Sequence, residues 1–297
     1  MARPVSIATV HFFKAETGLP RREDALEQWR RAEARFDDTG MDLIVACEGM
    51  ESIAQRVEEA EDLDHPGPMI ELYAAAARRN RCTVVGSAKI KEAGAVYNAQ
   101  VVLGPDGNVL GRYRKTYLTQ SEVTAGMSPG SGAEVIETPA GRLGGVICFD
   151  LNFPELRSAY RALSPDILVF SSMYHGGHVQ QSWAYETQSF FVGACKDVLS
   201  EIRDPLGRVL SSATAYSHVA FARVNLDRMI VHLDGHLDLF GDLLRRYKDG
   251  IRIDTAPDLG VALLTCESDS LTMAELARRH SILSLNDYLG PARSRIR

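Results

Sequence analysis

The 297-residue sequence holds no run of 18 or more apolar residues, no Cys-x-x-Cys pair and no Gly-x-x-x-x-Gly-Lys-[Ser/Thr] stretch. The first absence excludes a bilayer-spanning helix. The second, with an odd count of five cysteines, argues against a disulfide framework or a zinc site and for reduced thiols. The third removes a phosphate cradle, and with it nucleotide-driven chemistry. There is no His-Glu-x-x-His pattern, no Gly/Ser- or Pro-rich linker and no low-complexity segment. Positive charge is not in excess either: the net charge is −6 and the pI near 5.8, which gives no reason to expect nucleic-acid or anionic-membrane binding. Met1-Ala2-Arg3-Pro4-Val5 passes into a strand pattern without a signal-like apolar stretch, so a cytoplasmic location is expected.

What is present is an alternation of strand and helix patterns. Val5 to Phe12 and Asp42 to Ala46 read as buried strands, as do Cys82 to Ile90 and Ile167 to Phe170. Residues 22–36 place Ala25, Trp29, Ala32 and Phe36 at helical spacing, and Pro68 opens an alanine-rich helix to Arg79. Gly104-Pro105-Asp106-Gly107 and Asp204-Pro205-Leu206-Gly207 supply turns for two hairpins. Trp183 to Phe191 reads as helical before a strand. Helices mixed with hairpins predict a layered α/β protein with mixed sheets. A catalytic domain is expected over residues 1–227. An extension follows over 228–297, less regular, with a strand at Val261 to Thr265 and a basic helix near Met273 to His280, packed on the domain or across a subunit interface.

Cys148 ends the apolar stretch Gly144-Gly145-Val146-Ile147 and precedes a helix predicted from Asn152. A strand-to-helix elbow exposes one side chain among free backbone N–H groups, which suits a nucleophilic thiol and its oxyanion. Glu48 leaves the apolar strand Leu43-Ile44-Val45-Ala46 at its carboxyl end, where α/β proteins commonly place ligands. Lys115 closes a hairpin strand, and Glu122, seven residues on, can hold it charged and oriented. Each residue also has an ordinary reading: a core cysteine, an exposed loop glutamate, a lysine on a solvated strand end. The other four cysteines read as packing. His175 with His178, and His232 with His236, are too weakly patterned to predict a metal, and none is expected.

The ordered set Asp42–Glu48, Gly111–Leu118 and Gly145–Glu155, continued by Ala184–Val192 and Asp204–Gly207, resembles the nitrilase superfamily of carbon–nitrogen hydrolases. The resemblance covers roughly residues 4–227. It implies a four-layer α-β-β-α sandwich with two mixed β-sheets, Glu48 as general base, Lys115 as the family's lysine, Cys148 as nucleophile and Glu122 as the second glutamate. Glu186 falls on a structural helical glutamate. Subunits are implied to pair as a homodimer or larger homo-oligomer. The sequence departs from the family at Cys47, where proline is usual, and in the loop Ser171–His178.

The chemistry implied is attack of Cys148 on an amide or ureido carbonyl, with the oxyanion held by Lys115 and the backbone N–H of Phe149, and hydrolysis of the thioester without a cofactor. Phe149-Asp150 after the nucleophile looks like the amidase and carbamoylase branches, so a small aliphatic amide or N-carbamoyl substrate is expected. Asn152, Met173, Tyr174 and Trp183 are candidate pocket walls, or packing residues beside the site. Nitrile hydrolysis, acyl transfer to an amine, a Cys–His enzyme and a non-catalytic scaffold on this fold are the alternatives.

Overall fold

The computed structural model describes residues 1–12, 21–48, 50 and 55–295. The chain divides into two compact units, Ser6–Ala222, and Met1–Val5 with Arg223–Arg297. The second unit draws in the N-terminus because the chain start is hydrogen-bonded there: Ala2 N–H donates to Ser268 O at 2.8 Å and Arg3 N–H to Asn225 Oδ1 at 2.9 Å.

In the Ser6–Ala222 unit, one sheet runs Pro4–Val10, Leu43–Val45, Thr83–Glu92, Ala95–Leu103, Val109–Arg114, with Val219–Asn225 beside Pro4–Val10. Its first pairings are parallel and the last two antiparallel. The other sheet runs Val209–Ala213, Ser200–Arg203, Phe190–Cys195, Ile167–Ser172, Gly141–Ile147, Val135–Thr138, with a parallel centre and antiparallel flanks. Leu43–Val45 and Ile167–Ser172 are buried along their whole length, as strands covered on both faces must be. Both expected hairpin turns form, each with its glycine in the left-handed region, Gly107 at φ 81° and Gly207 at φ 82°.

Helices Arg21–Phe36 and Pro68–Asn80 cover the first sheet. Trp29 meets Tyr73 edge-on at 5.3 Å, and Tyr73 Oη donates to Ser87 O. Helices Pro154–Leu163 and His178–Thr187 cover the second sheet through Leu156, Tyr160, Phe170, Trp183 and Phe191. Arg157 and Glu186 pair across these helices at 2.9 Å, so the helical glutamate is a tie between them.

Between the sheets the contact is close and partly polar. Gln100 Nε2 donates to Val169 O at 3.1 Å and Ser171 Oγ at 2.9 Å, while Ser171 Oγ donates to Ala46 O at 2.8 Å. Gly145 lies against Tyr113, where a Cβ would come within 2.4 Å of the tyrosine Cβ. The result is the four-layer α-β-β-α sandwich with two mixed sheets.

Two element boundaries differ from the sequence reading. The helix predicted over Trp183 to Phe191 is displaced: it spans His178–Thr187, and Phe190–Cys195 is a strand. Gln188 takes a left-handed C-cap at φ 55° and stops the helix. The helix after Cys148 starts at Pro154, because Cys148–Asn152 first makes a tighter 3-10 turn.

The Arg223–Arg297 unit is more regular than its sequence suggests. An antiparallel sheet orders Arg228–His232, Val261–Cys266 and Ile251–Ala256. Helices Leu237–Tyr247, Met273–His280 and Leu285–Arg293 accompany it, and Val231, Phe240, Leu243, Leu264 and Leu276 share a core. Polar residues such as Arg252 and Asp254 hid the strand Ile251–Ala256.

Candidate active site

Glu48 follows a strand whose exit is pinned by Ala46 N–H to Val85 O at 2.9 Å. Lys115 follows Val109–Arg114, its N–H donating to Asn98 O at 2.8 Å and its carbonyl accepting from Gly130 N–H at 2.7 Å. Glu122 stands on the short helix Gln120–Thr124 and divides its carboxylate between two tasks. Oε2 accepts from Thr119 N–H and Thr119 Oγ1, both at 2.8 Å, capping its own helix. Oε1 turns inward to Lys115.

These pieces converge. Lys115 Nζ donates to Glu48 Oε1 at 3.0 Å and to Glu122 Oε1 at 2.9 Å, with the lysine side chain 1% exposed. Burial works to lower the ammonium pKa, but the two carboxylates outweigh it and hold Lys115 above the ordinary lysine value. Burial likewise works to raise Glu122; the Lys115 charge and hydrogen bonds from Asn98, Lys115 and Thr119 prevail and keep it below the ordinary range. Glu48 Oε2 is buried away from other polar partners among the described residues, and the Glu48 carboxylate takes a hydrogen bond from the Cys148 thiol.

Cys148 has φ 45°, the left-handed region that a residue with a Cβ enters at a cost. That conformation turns the strand sharply and leaves the thiol partly accessible, whereas Cys47, Cys82, Cys195 and Cys266 are buried. Burial is the main influence pushing the Cys148 thiol up, to about 12; the Glu48 carboxylate adds to it, against Lys115 and a hydrogen bond from the Met173 backbone. The resting sulfur is therefore a thiol, with a carboxylate beside it to take the proton and an ammonium beside it to stabilise charge.

The elbow is held by Asp150. Its Oδ2 accepts from Ile147 N–H at 3.0 Å and Tyr113 Oη at 2.8 Å, and its Oδ1 from Tyr117 N–H at 2.7 Å. Burial pushes this carboxyl up to about 6 despite those three donors. One side chain thus ties the Cys148 turn to the segment that carries Lys115.

Phe149, whose N–H is the expected oxyanion donor, lies in the 3-10 turn with its ring exposed. Asn152 Nδ2 donates to Phe149 O at 3.0 Å and to Tyr174 Oη at 3.2 Å, bringing Asn152 and Tyr174 to one rim beside Cys148. Burial first and then the Cys148 charge push the Tyr174 phenol up to about 12. Met173 is on the same loop, 46% exposed. Trp183 is not a pocket wall. Its side chain is fully buried in the helix–sheet core and its Nε1–H donates to Leu151 O at 2.9 Å, so it packs behind the site.

The histidines have structural partners: His175 Nε2 pairs with Glu201 at 3.0 Å, and His236 Nδ1 lies 2.9 Å from His232 O. Among the described residues no group of three or more His, Cys, Asp or Glu is arranged to hold a metal.

Sequence reasoning missed Asn98, Gln100, Tyr113 and Asp150. The signal was available for two of them, since Asn98 and Gln100 are polar residues two apart in the otherwise apolar strand Ala95–Leu103. Both point to one face, and polar groups on a buried face need partners.

Comparison with known proteins gives the family and the fold. Residues 13–231 match the family model described as carbon-nitrogen hydrolase. Omega-amidase NIT2 of Homo sapiens is 28% identical over 169 residues, 48% of this chain and 61% of the relative. Deaminated glutathione amidase of Bos taurus is 28% identical over 239 residues, 66% of this chain and 72% of the relative. The chain therefore matches about three-fifths of the length of the human omega-amidase, 61%. Among solved structures, Saccharomyces cerevisiae Nit3, a member of the nitrilase superfamily, superposes with TM-score 0.63 at 18% identity over 75% of this chain and 90% of its own. An amidase from Nesterenkonia sp. AN1, solved with acrylamide added to its active-site cysteine, gives TM-score 0.63 at 18% identity over 82% and 99% of the two chains. The match of the family model across most of the sequence, on a nitrilase fold that brings Glu48, Lys115 and Cys148 together, means that the chain belongs to the carbon–nitrogen hydrolase family.

Proposed function

We propose that the protein hydrolyses the carbon–nitrogen bond of a small amide or N-carbamoyl compound through an acyl-enzyme on Cys148, releasing ammonia or an amine. The observation that carries this reading is the buried Glu48–Lys115–Glu122 cluster set against a thiol held at a left-handed elbow. A cluster of one cation and two anions, almost closed to water, costs desolvation and is weak evidence for stability. Its placement beside a neutral thiol supports a catalytic purpose.

In the reaction, Glu48 Oε2 takes the Cys148 proton as Sγ bonds to the carbonyl carbon and the C=O electron pair moves onto oxygen. Lys115 Nζ and the Phe149 N–H hold that oxyanion. The pair returns, the C–N bond breaks, and the Glu48 proton goes to the departing nitrogen. Glu48 then removes a proton from water as its oxygen bonds to the thioester carbon; the C–S bond breaks, the acid leaves, and Glu48 returns the proton to the sulfur. Asn152, Met173 and Tyr174 line the rim that the substrate crosses. Family resemblance supports a homodimer or larger homo-oligomer, to be checked by light scattering, and the odd cysteine count without a Cys-x-x-Cys pair supports a cytoplasmic location, to be checked by fractionation.

The test is ammonia and amine release from a panel of primary amides, N-carbamoyl amino acids and nitriles, with intact-mass spectra of wild type, Cys148→Ala and Glu48→Gln. Turnover of an amide or carbamoyl compound, lost in Cys148→Ala, supports the reading. Turnover retained in Cys148→Ala removes the nucleophile; release from nitriles alone reassigns the substrate. Product transferred to an added amine in preference to water reassigns the acceptor.

A further inference from the structure

Asn98 sits on the strand Ala95–Leu103, 3% exposed, inside the cluster just described. Its Nδ2 donates to Glu48 Oε1 at 2.9 Å and to Glu122 Oε1 at 2.8 Å. Those are the two oxygens that also take Lys115 Nζ. Two donors and two acceptors therefore close a four-membered ring of hydrogen bonds.

The donor count is informative. An amide –NH₂ has two hydrogens, and both are used here. A lysine ammonium has three, so two go to the carboxylates and one remains for a developing oxyanion. The orientation of the Asn98 amide is also decided: reversing it would set Oδ1 against two carboxylate oxygens. Two carboxyl groups thus share one lysine in a dry environment. Among the described residues, the further donor that both Oε1 atoms share is the Asn98 amide.

We propose that Asn98 is a positioning residue for the reaction: its amide bridges Glu48 and Glu122, holds their two Oε1 atoms together around one lysine, and thereby leaves Glu48 Oε2 directed to the thiol and the third Lys115 hydrogen free for the oxyanion. This rests on the hydrolase reading for its consequence in turnover. Asn98 touches neither substrate nor sulfur in this account. It acts through Glu48. The same residue fixes the lysine backbone, since Asn98 O accepts Lys115 N–H at 2.8 Å.

Other ionisable groups face this cluster and are common to every variant compared. Cys148 faces Glu48 and Lys115; the buried Cys195 thiol faces Cys148 and Glu48; Asp150 faces Lys115; Tyr174 faces Cys148. Lys89, opposite Asn98 in strand register, donates to Gln55 O at 2.7 Å.

The experiment compares Asn98→Leu and Asn98→Asp with wild type, on a substrate that the wild type turns over. Removing a donor from two carboxylates favours their protonated forms. Asn98→Leu should lower kcat on the order of 10–100-fold with KM little changed, and move the acid limb of the pH–rate profile up by about one unit. Asn98→Asp keeps the shape but sets a third carboxyl against the other two, so it should be the more damaging at neutral pH. A residue that only filled space would give the reverse order, because the aspartate is the closer isostere. Iodoacetamide alkylation of Cys148 across the same pH range needs no turnover and should show a displaced profile in Asn98→Leu. Thermal melting checks that each variant is folded.

Superimposable alkylation profiles in wild type and a folded Asn98→Leu overturn the proposal, as does an Asn98→Asp variant more active than Asn98→Leu. A wild type that turns over nothing in the panel fails the hydrolase reading alone, and the alkylation profile still decides the role of Asn98.

Discussion

Two sets of ion pairs begin at the end of one strand, from Arg112 and Arg114 on it and from Lys115 just past it, and differ in almost everything that matters. Arg112 and Arg114 leave Val109–Arg114 on its open side and form a network with Glu92 and Glu134, with Arg112 Nη2 2.7 Å from Glu92 Oε1 and Arg114 Nη1 3.2 Å from Glu92 Oε2. These side chains keep 18–34% of their surface in water. Lys115 makes bonds of similar length to Glu48 and Glu122 with 1% of its side chain exposed. The lengths barely distinguish the two sets; the solvent does. Exposed pairs are screened and contribute little. A buried one is expensive to desolvate and worse to break. The arginine hydrogen bonds hold Glu92 below its ordinary range, which fits a surface tie. The lysine arrangement stores charge where a reaction can use it.

The sharpest way to break this comparison is Lys115→Met. It leaves two carboxylates buried without a cation, and should cost about 3–5 kcal/mol in chemical denaturation. Turnover of a confirmed substrate should fall about 10³-fold or more through loss of oxyanion stabilisation. A variant as stable as wild type would show that water already reaches the cluster.

Asp150 gives the next largest effect and a pH signature. Its folded-state value near 6 lies above the ordinary 3.8, so its contribution to stability is fully present below about pH 4 and is lost as pH rises through 6. Relative to Asp150→Asn, the wild type should therefore lose about 2–3 kcal/mol of unfolding free energy between pH 4 and 7. Parallel stability curves for the two proteins would show that the three donors around Asp150 offset its burial entirely.

Glu48→Gln tests the coupling of carboxylate to thiol. The Glu48 charge raises the Cys148 pKa and Lys115 lowers it, so removing the carboxylate should bring alkylation of Cys148 to lower pH by about one unit. The smallest effect belongs to the exposed partner in the comparison. Arg112→Ala should cost under about 1 kcal/mol, less at high salt, and leave turnover unchanged. A loss as large as that from Lys115→Met would mean that the surface network positions the lysine strand.

That Glu48, Lys115 and Cys148 belong to one proposed site was legible because each stands just after a strand, where side chains leave the core at one edge. The layering followed from the same strands, whose fully buried stretches, such as Leu43–Val45, read as uninterrupted apolar runs. Positions that act through partners were harder to see. Asp150 looks like any acidic residue near a helix start until Tyr113, on another strand, and Tyr117, just past that strand, arrive. Trp183 looked like a pocket wall because its sequence neighbourhood is close to the site; only the packing of its helix shows the ring facing inward. The strand Ile251–Ala256 was hidden for a different reason. Half of its side chains face water, and a short alternating stretch with Arg252 and Asp254 carries little pattern to recognise.

Gly145 has a consequence for engineering this protein. Lys115 rides on one sheet, two residues past Tyr113, and Cys148 on the other, three residues past Gly145. The glycine and the base of the Tyr113 side chain meet without room for a methyl group. That contact works as a caliper, setting how far the ammonium stands from the sulfur. Repacking distant core positions in a way that spreads the layers would thus detune the reaction while leaving every reacting side chain in place.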